Sequence, residues 1–167
     1  MKNNYSLIAG VFMNIVDLGI LLTGESGIGK SETALSLIDR GHRLVADDAV
    51  EFYRVGQHVY GRCPTPLKYL LEVRELGIID LMTLYGESAI APPLPLSLII
   101  ELTAPNLNAF IKHRLGAPQQ TRSILNVDIP ILSYTVNPYR QLALLIETSV
   151  KLHRHQTSEP FYERIYG

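Results

Sequence analysis

The sequence predicts a single α/β domain organised around a phosphate-binding loop. Three observations carry that expectation. Short apolar runs alternate with amphipathic helical stretches along the chain. The stretch Gly24-Glu25-Ser26-Gly27-Ile28-Gly29-Lys30-Ser31 fits the pattern G-x-x-x-x-G-K-[ST] and lies between an apolar run and a helical one. The composition, 47% hydrophobic and 19% charged over 167 residues, suits one globular unit with a sizeable core.

Taken in order, the apolar run 19–23 reads as a buried strand leading into the loop, and 30–40 reads as a helix. Ala34, Leu37 and Ile38 share one face of it, and Gly41 is its stop signal. Short strands are expected at 43–46 and 50–55. Pro64 or Pro66 opens an expected helix over 64–72, with Leu67, Leu70 and Leu71 facing inward. Strands are predicted at 78–85 and 96–102, a helix at 106–115 ended by Gly116, and a strand at 129–136. The last element is an amphipathic helix over 141–153, with Leu142, Leu145, Ile146, Ser149 and Leu152 on one face. No repeat, low-complexity tract or long linker divides the chain, so 1–167 is read as one domain.

Several function classes are set aside by composition. The formal net charge is -1 and no Lys/Arg cluster is dense enough for a nucleic-acid footprint. Pro92, Pro93, Pro95 and Glu101 interrupt the longest apolar runs, so no membrane span is expected. The N-terminus lacks a signal peptide's apolar region, and a cytoplasmic location is expected. Cys63 is the one cysteine, which excludes an internal disulfide framework and reads as a semi-buried, inert thiol. His42, His58, His113, His153 and His155 show no metal-ligand spacing and read as surface or capping residues.

The loop carries the chemistry. Its glycines let backbone N–H groups converge on phosphate oxygens, and the following helix points its positive end at the same place. Lys30 adds a compact cation near the outer phosphates, and the Ser31 hydroxyl can ligate Mg²⁺. ATP or a related phosphate compound is the expected ligand. Downstream, the apolar stretch Leu44-Val45-Ala46 delivers Asp47 and Asp48 to the carboxyl end of a strand, where α/β sheets bind ligands. Successive strand residues point to opposite faces, so the two acids are expected to differ in role. One can accept a hydroxyl proton while the other engages metal or a backbone turn; an acidic turn capping the strand is the plainer alternative.

The stretch GESGIGKSETALSLIDRGHRLVADDAVEF, followed by LLEVRELGIIDLMTLYG, resembles the catalytic domain of bacterial HPr kinase/phosphorylase. The likeness covers about residues 10 to 150 and is strongest over 19–52 and 70–86. It implies a P-loop-containing nucleotide-binding fold similar to the phosphoenolpyruvate carboxykinase-like core. It also implies serine phosphorylation of the phosphocarrier protein HPr with ATP and Mg²⁺, reversal by inorganic phosphate with release of pyrophosphate, and a homo-oligomer, usually a hexamer. The separate N-terminal domain common in the family has no counterpart in this sequence. Position by position, the resemblance assigns Gly24 to Ser31 to the nucleotide, with Lys30 on phosphate and Ser31 on metal. Asp47 becomes the catalytic aspartate and Asp48 its supporting neighbour. Glu72 becomes a magnesium-linked glutamate, and Arg114 an arginine that steadies charge on the transferring group. By spacing alone, Glu72 and Arg74 read as a solvated charge pair and Arg114 as a surface arginine.

Three positions depart from the family pattern. Ala9 stands where an active-site histidine is expected, and an alanine cannot hydrogen-bond or share a proton with Asp47. Glu75 replaces a glycine in Arg74-Glu75-Leu76-Gly77. The segment Asn137-Pro138-Tyr139-Arg140-Gln141 lacks one arginine and one glycine of an element tied to the reverse reaction. Kinase activity is therefore expected ahead of phosphorylase activity. Two other readings fit the same residues: a phosphate-loop kinase for another protein or small molecule, and a nucleotide-sensing module whose chemistry has decayed.

Overall fold

The computed structural model describes residues 4–105 and 120–158. It confirms a mixed α/β architecture around a central sheet. β1 (Tyr5–Ala9), β2 (Val11–Ile15) and β3 (Leu18–Gly24) precede the loop and helix α1 (Lys30–Asp39). β4 (Arg43–Ala46), β5 (Ala49–Val55) and β6 (His58–Arg62) follow, then a hairpin of β7 (Leu70–Val73) and β8 (Gly77–Asp80). The short helix α2 (Leu81–Tyr85) leads to β9 (Leu94–Thr103), β10 (Gln120–Ile124), β11 (Val127–Thr135) and helix α3 (Leu142–Ser158).

Nine strands form one sheet and β7–β8 form a separate pair. β9 is the junction. It pairs in parallel with β3 on one side and β11 on the other, while its first residues, Leu94 and Pro95, pair antiparallel with β6. β3 and β9 are near-continuous apolar runs because both of their faces are covered. One core cluster joins Met13, Leu22, Leu37, Leu71, Ile100 and Ile146 beneath the helices, and a second surrounds Phe12 and Phe52.

The expected helix over 64–72 does not form. Thr65–Leu67 is a single 3-10 turn, and the chain then extends into β7. Pro64 and Lys68 both take extended backbone angles, and two prolines two positions apart remove the donors a helix needs. Leu71 and Val73 are buried and Glu72 is exposed, a period of two that the adjacent leucines at 70 and 71 had masked; Leu67 faces solvent. The expected strand over 78–85 is a strand only to Asp80. There the Asp80 carboxylate accepts from the N–H groups of Met82 and Thr83 and starts α2. The expected helix over 106–115 lies outside the described residues.

Helix α3 runs longer than the predicted 141–153, and its buried face is turned. Ile146 and Val150 are fully buried, while Leu145 and Leu152 are exposed. Ser149 does face inward, hydrogen-bonding the Tyr134 hydroxyl of β11. Glu147, which spacing had left outside the apolar face, is the link between the helices. It pairs with Arg40 at the end of α1, accepts from Lys151 at 2.9 Å, and lies 3.3 Å from His42 Nε2. Arg40 and then Lys151 hold its carboxyl down at about 2, against an ordinary 4.5.

Two outcomes follow for stability. Because the folded pKa of Glu147 is depressed, its contribution is present above about pH 4.5 and is lost as pH falls toward 2. In acid titrations followed by circular dichroism, Glu147→Gln is expected to lower stability at neutral pH and to flatten its pH dependence within that window. Glu75 sits at φ 71°, in the left-handed region, and its side chain is exposed. Glu75→Gly is expected to stabilise the protein by roughly 0.5–1 kcal/mol in urea unfolding, the left-handed penalty less the entropy of the added glycine.

Candidate functional site

The loop lies at the carboxyl end of β3, between β9 and β2, where an α/β sheet opens toward ligands. Its first residue needs to be glycine. Gly24 has φ 145° and packs so closely on β9 that a Cβ would stand 2.6 Å from the Leu102 carbonyl oxygen. The Ile28 N–H donates to the Glu25 carbonyl and closes the turn. Gly29 then caps α1, with the Thr33 N–H and hydroxyl both donating to its carbonyl at 3.0 and 2.7 Å. The first-turn N–H groups at this end of the helix have no intrahelical partners, which makes the end an anion site. Lys30 Nζ arches back over the loop, donating to the carbonyls of Gly24 and Glu25 at 2.8 and 3.0 Å.

A cleft of about 440 Å³ lies in front of this loop. Gly24, Ser26, Gly27, Gly29, Lys30 and Ser31 form one wall, and Asp47, Asp48, Glu72 and Arg74 face them. The strand expected at 43–46 is β4, and Asp47 and Asp48 lie in the turn between β4 and β5, so the strand alternation expected to separate their faces does not apply. Both consequently reach the same cleft, and their environments still differ. Asp48 is exposed, with φ 70°, a conformation aspartate tolerates better than most residues. Its carbonyl accepts the Gly10 N–H at 3.2 Å and ties the turn to the bend between β1 and β2. Asp47 is half-buried, and its Oδ2 accepts the Glu72 N–H at 3.0 Å.

Burial raises the Asp47 pKa above its ordinary 3.8. The N–H groups of Glu72 and Asp48 oppose the rise, and the charges of the Asp48 and Glu72 carboxylates add to it. The result is a carboxylate with more affinity for a proton than a free one, held in place by a backbone bond. That is the character wanted of a general base.

Sequence reasoning left Arg74 as a solvated charge. The structure puts it at the tip of the β7–β8 hairpin, where its Nη1 lies 3.9 Å from the point at which a Gly27 side chain would begin. Glu32, at the third position of α1, joins the same lining. Glu72 and Arg74 alternate with buried Leu71 and Val73, and that period-two pattern was the signal available in the sequence. Arg114 lies outside the described residues. Ala9, paired with Ala49 across β1 and β5, is exposed on the cleft wall, so the position expected to hold histidine does belong to the site. The altered segment at 137–141 lies elsewhere in the lining of clefts: Arg140 borders a smaller one with Arg40 and Glu32. There the Asn137 side chain accepts the Tyr139 N–H at 2.9 Å in a local turn before α3.

A phosphate-binding loop between a central parallel strand and a helix, faced by carboxylates, defines the phosphate-loop class of α/β domains. Within it, residues 3–163 match the model of the HPr Serine kinase C-terminal domain, and the chain belongs to that family. It is 43% identical over 163 residues to an HPr kinase/phosphorylase of Exiguobacterium sp., covering 93% of this chain and 52% of that protein. It is 44% identical over 151 residues to one of Stenotrophomonas maltophilia, covering 88% and 48%. The chain spans about half the length of these relatives. Among solved structures, that of the HPr(Ser) kinase/phosphatase from Coxiella burnetii superposes with a TM-score of 0.86 at 35% identity, covering 92% of this chain and 93% of that one. Among the described residues, no helix is long and apolar enough to cross a membrane.

Proposed function

We propose that this chain transfers the γ-phosphoryl group of ATP to a serine hydroxyl of the phosphocarrier protein HPr. The observation that carries the reading is the single cleft in which the loop, Lys30 and Ser31 face Asp47, Asp48, Glu72 and Arg74. The names of the relatives supply the acceptor. In this reading the serine oxygen forms a bond to the γ-phosphorus as the bond to the bridging β–γ oxygen breaks. ADP leaves, and Asp47 takes the serine proton. Lys30 and Arg74 offset charge on the phosphoryl oxygens, a task Arg114 shares by resemblance. Among the described residues no three His, Cys, Asp or Glu side chains converge to hold a metal. The Ser31 hydroxyl and Glu72 carboxylate, with Asp48 beside them, are nonetheless the hard oxygen donors that Mg²⁺ takes in ones and twos alongside phosphates. Bound there, Mg²⁺ would neutralise charge on the β- and γ-phosphates. The hexameric assembly implied by the resemblance belongs to the same reading. Leu76, Ile78 and Leu84, exposed by 63, 69 and 62%, support burial against another copy.

With labelled ATP and purified HPr, Asp47→Asn is expected to cut transfer by about 10³-fold, a usual loss for a general base, while ATP affinity changes little. Because Asp47 must be ionised to accept the proton, activity should fall as pH drops through its pKa. The acid limb of kcat/KM should therefore lie above the 3.8 of an unperturbed aspartate. An Asp47→Asn enzyme as active as the parent would overturn the assignment.

We further infer that the forward reaction outweighs phosphate-dependent reversal. Ala9 on the cleft wall offers Asp47 no imidazole to share a proton when the attacking group is phosphate. Serine-phosphorylated HPr incubated with the enzyme and excess inorganic phosphate should release pyrophosphate far more slowly than ATP phosphorylates HPr. Comparable rates would contradict this.

A further inference from the structure

A second cleft, of about 680 Å³, adjoins the segments that deliver the catalytic acids. β4 gives it Leu44 and Val45 just before Asp47, and the stretch leading into β7 gives it Lys68 and Tyr69 just before Glu72. No residue of the loop or of α1 lines it. Its walls are polar and apolar in nearly equal measure, with Pro64, Ile90 and Pro93 among the apolar part. Glu51 and Arg62 neutralise each other there as an ion pair. Among the described residues Lys68 makes no hydrogen bond or ion pair, and it is the charged group of the described lining outside that pair. Tyr69 is held at φ 69°, an outlier for a bulky aromatic residue, and its exposed ring forms part of the wall.

In-line transfer places the attacking and leaving oxygens on opposite sides of the phosphoryl group. The loop holds the leaving side. The base marks the entering side, so the body of the acceptor must lie past Asp47, away from the loop. The second cleft is a concave surface in that neighbourhood. Burial pushes the Cys63 thiol in its wall up, Lys68 opposes this, and the charge of Asp47 adds to it, so the three groups share one electrostatic environment.

We propose that this second cleft seats the serine-bearing segment of the phosphoacceptor protein, with apolar side chains on the proline and Ile90 walls and a carboxylate on Lys68. The inference rests on the phosphotransferase reading above. It makes Lys68 and Tyr69 determinants of acceptor choice that touch neither nucleotide nor metal.

The test is steady-state transfer from labelled ATP to purified HPr by the full chain and three variants. Tyr69→Gly removes the ring and accepts the left-handed backbone without strain, so its melting temperature should not fall. Lys68→Glu reverses the charge at an exposed position, and Lys68→Arg keeps it. Tyr69→Gly and Lys68→Glu should each raise the KM for HPr about tenfold or more, with the KM for ATP within about twofold and Lys68→Arg close to the parent. If the parent transfers phosphate to HPr and neither variant changes the KM for HPr, the cleft is not the acceptor surface. A fall in kcat alone, with the KM for HPr unchanged, overturns the inference equally. If the parent transfers nothing to HPr, the phosphotransferase reading fails, and this inference with it.

Discussion

The parallel pairing of β3 with β9 fixes the position of everything in the cleft. It sets Gly24 against Leu102 at the carboxyl end of two buried strands, so closely that no side chain fits between them. From that anchor the chain has one short turn in which to become a helix, and Lys30 and Ser31 emerge at its mouth. The other wall is secured differently. A single bond, from the Glu72 amide to the Asp47 carboxylate, joins a separate two-stranded sheet to the turn after β4. The hydrophobic contribution comes from Leu71 and Val73, which sink into the core under α1 and so aim Glu72 and Arg74 outward into the cleft.

Asp47 illustrates how backbone and charge share the tuning of a carboxylate. Burial alone would favour its neutral form, and two neighbouring carboxylates push the same way. The backbone N–H groups of Glu72 and Asp48 favour the charged form and oppose both. The balance leaves an anion that is available yet proton-seeking. A histidine beside it would add a second titrating partner, and Ala9 offers none.

How much of this was legible in the sequence depended on whether the deciding interaction was local. The loop, α1, β9 and the two aspartates were readable because residue spacing and apolar runs specify them within a few positions. The hairpins were harder. The turns between β2 and β3 and between β10 and β11 use Val16-Asp17 and Leu125-Asn126 in the left-handed region, where the usual turn signal is a glycine. β11 also carries Pro130, paired with Thr121 of β10 just before the pairing with β9 begins at Ile131, a residue that normally argues against an interior strand. The inward turn of Glu147 depended on Arg40 and His42, more than a hundred positions away. No window along α3 contains that information. Arg74 was missed for a related reason: a charge at a hairpin tip looks solvated until the facing wall is known.

Around the cleft, three non-glycine residues hold left-handed backbone: Asp48, Tyr69 and Glu75. Each stores free energy that the β3–β9–β11 ladder does not share, on the order of one to a few kcal/mol. The consequence concerns local unfolding. The walls that carry the acids and the arginine hold this strain in their own turns, whereas the loop wall is tied directly to the central strands. A ligand bridging the two would therefore do more than react: it would help hold the strained wall in place.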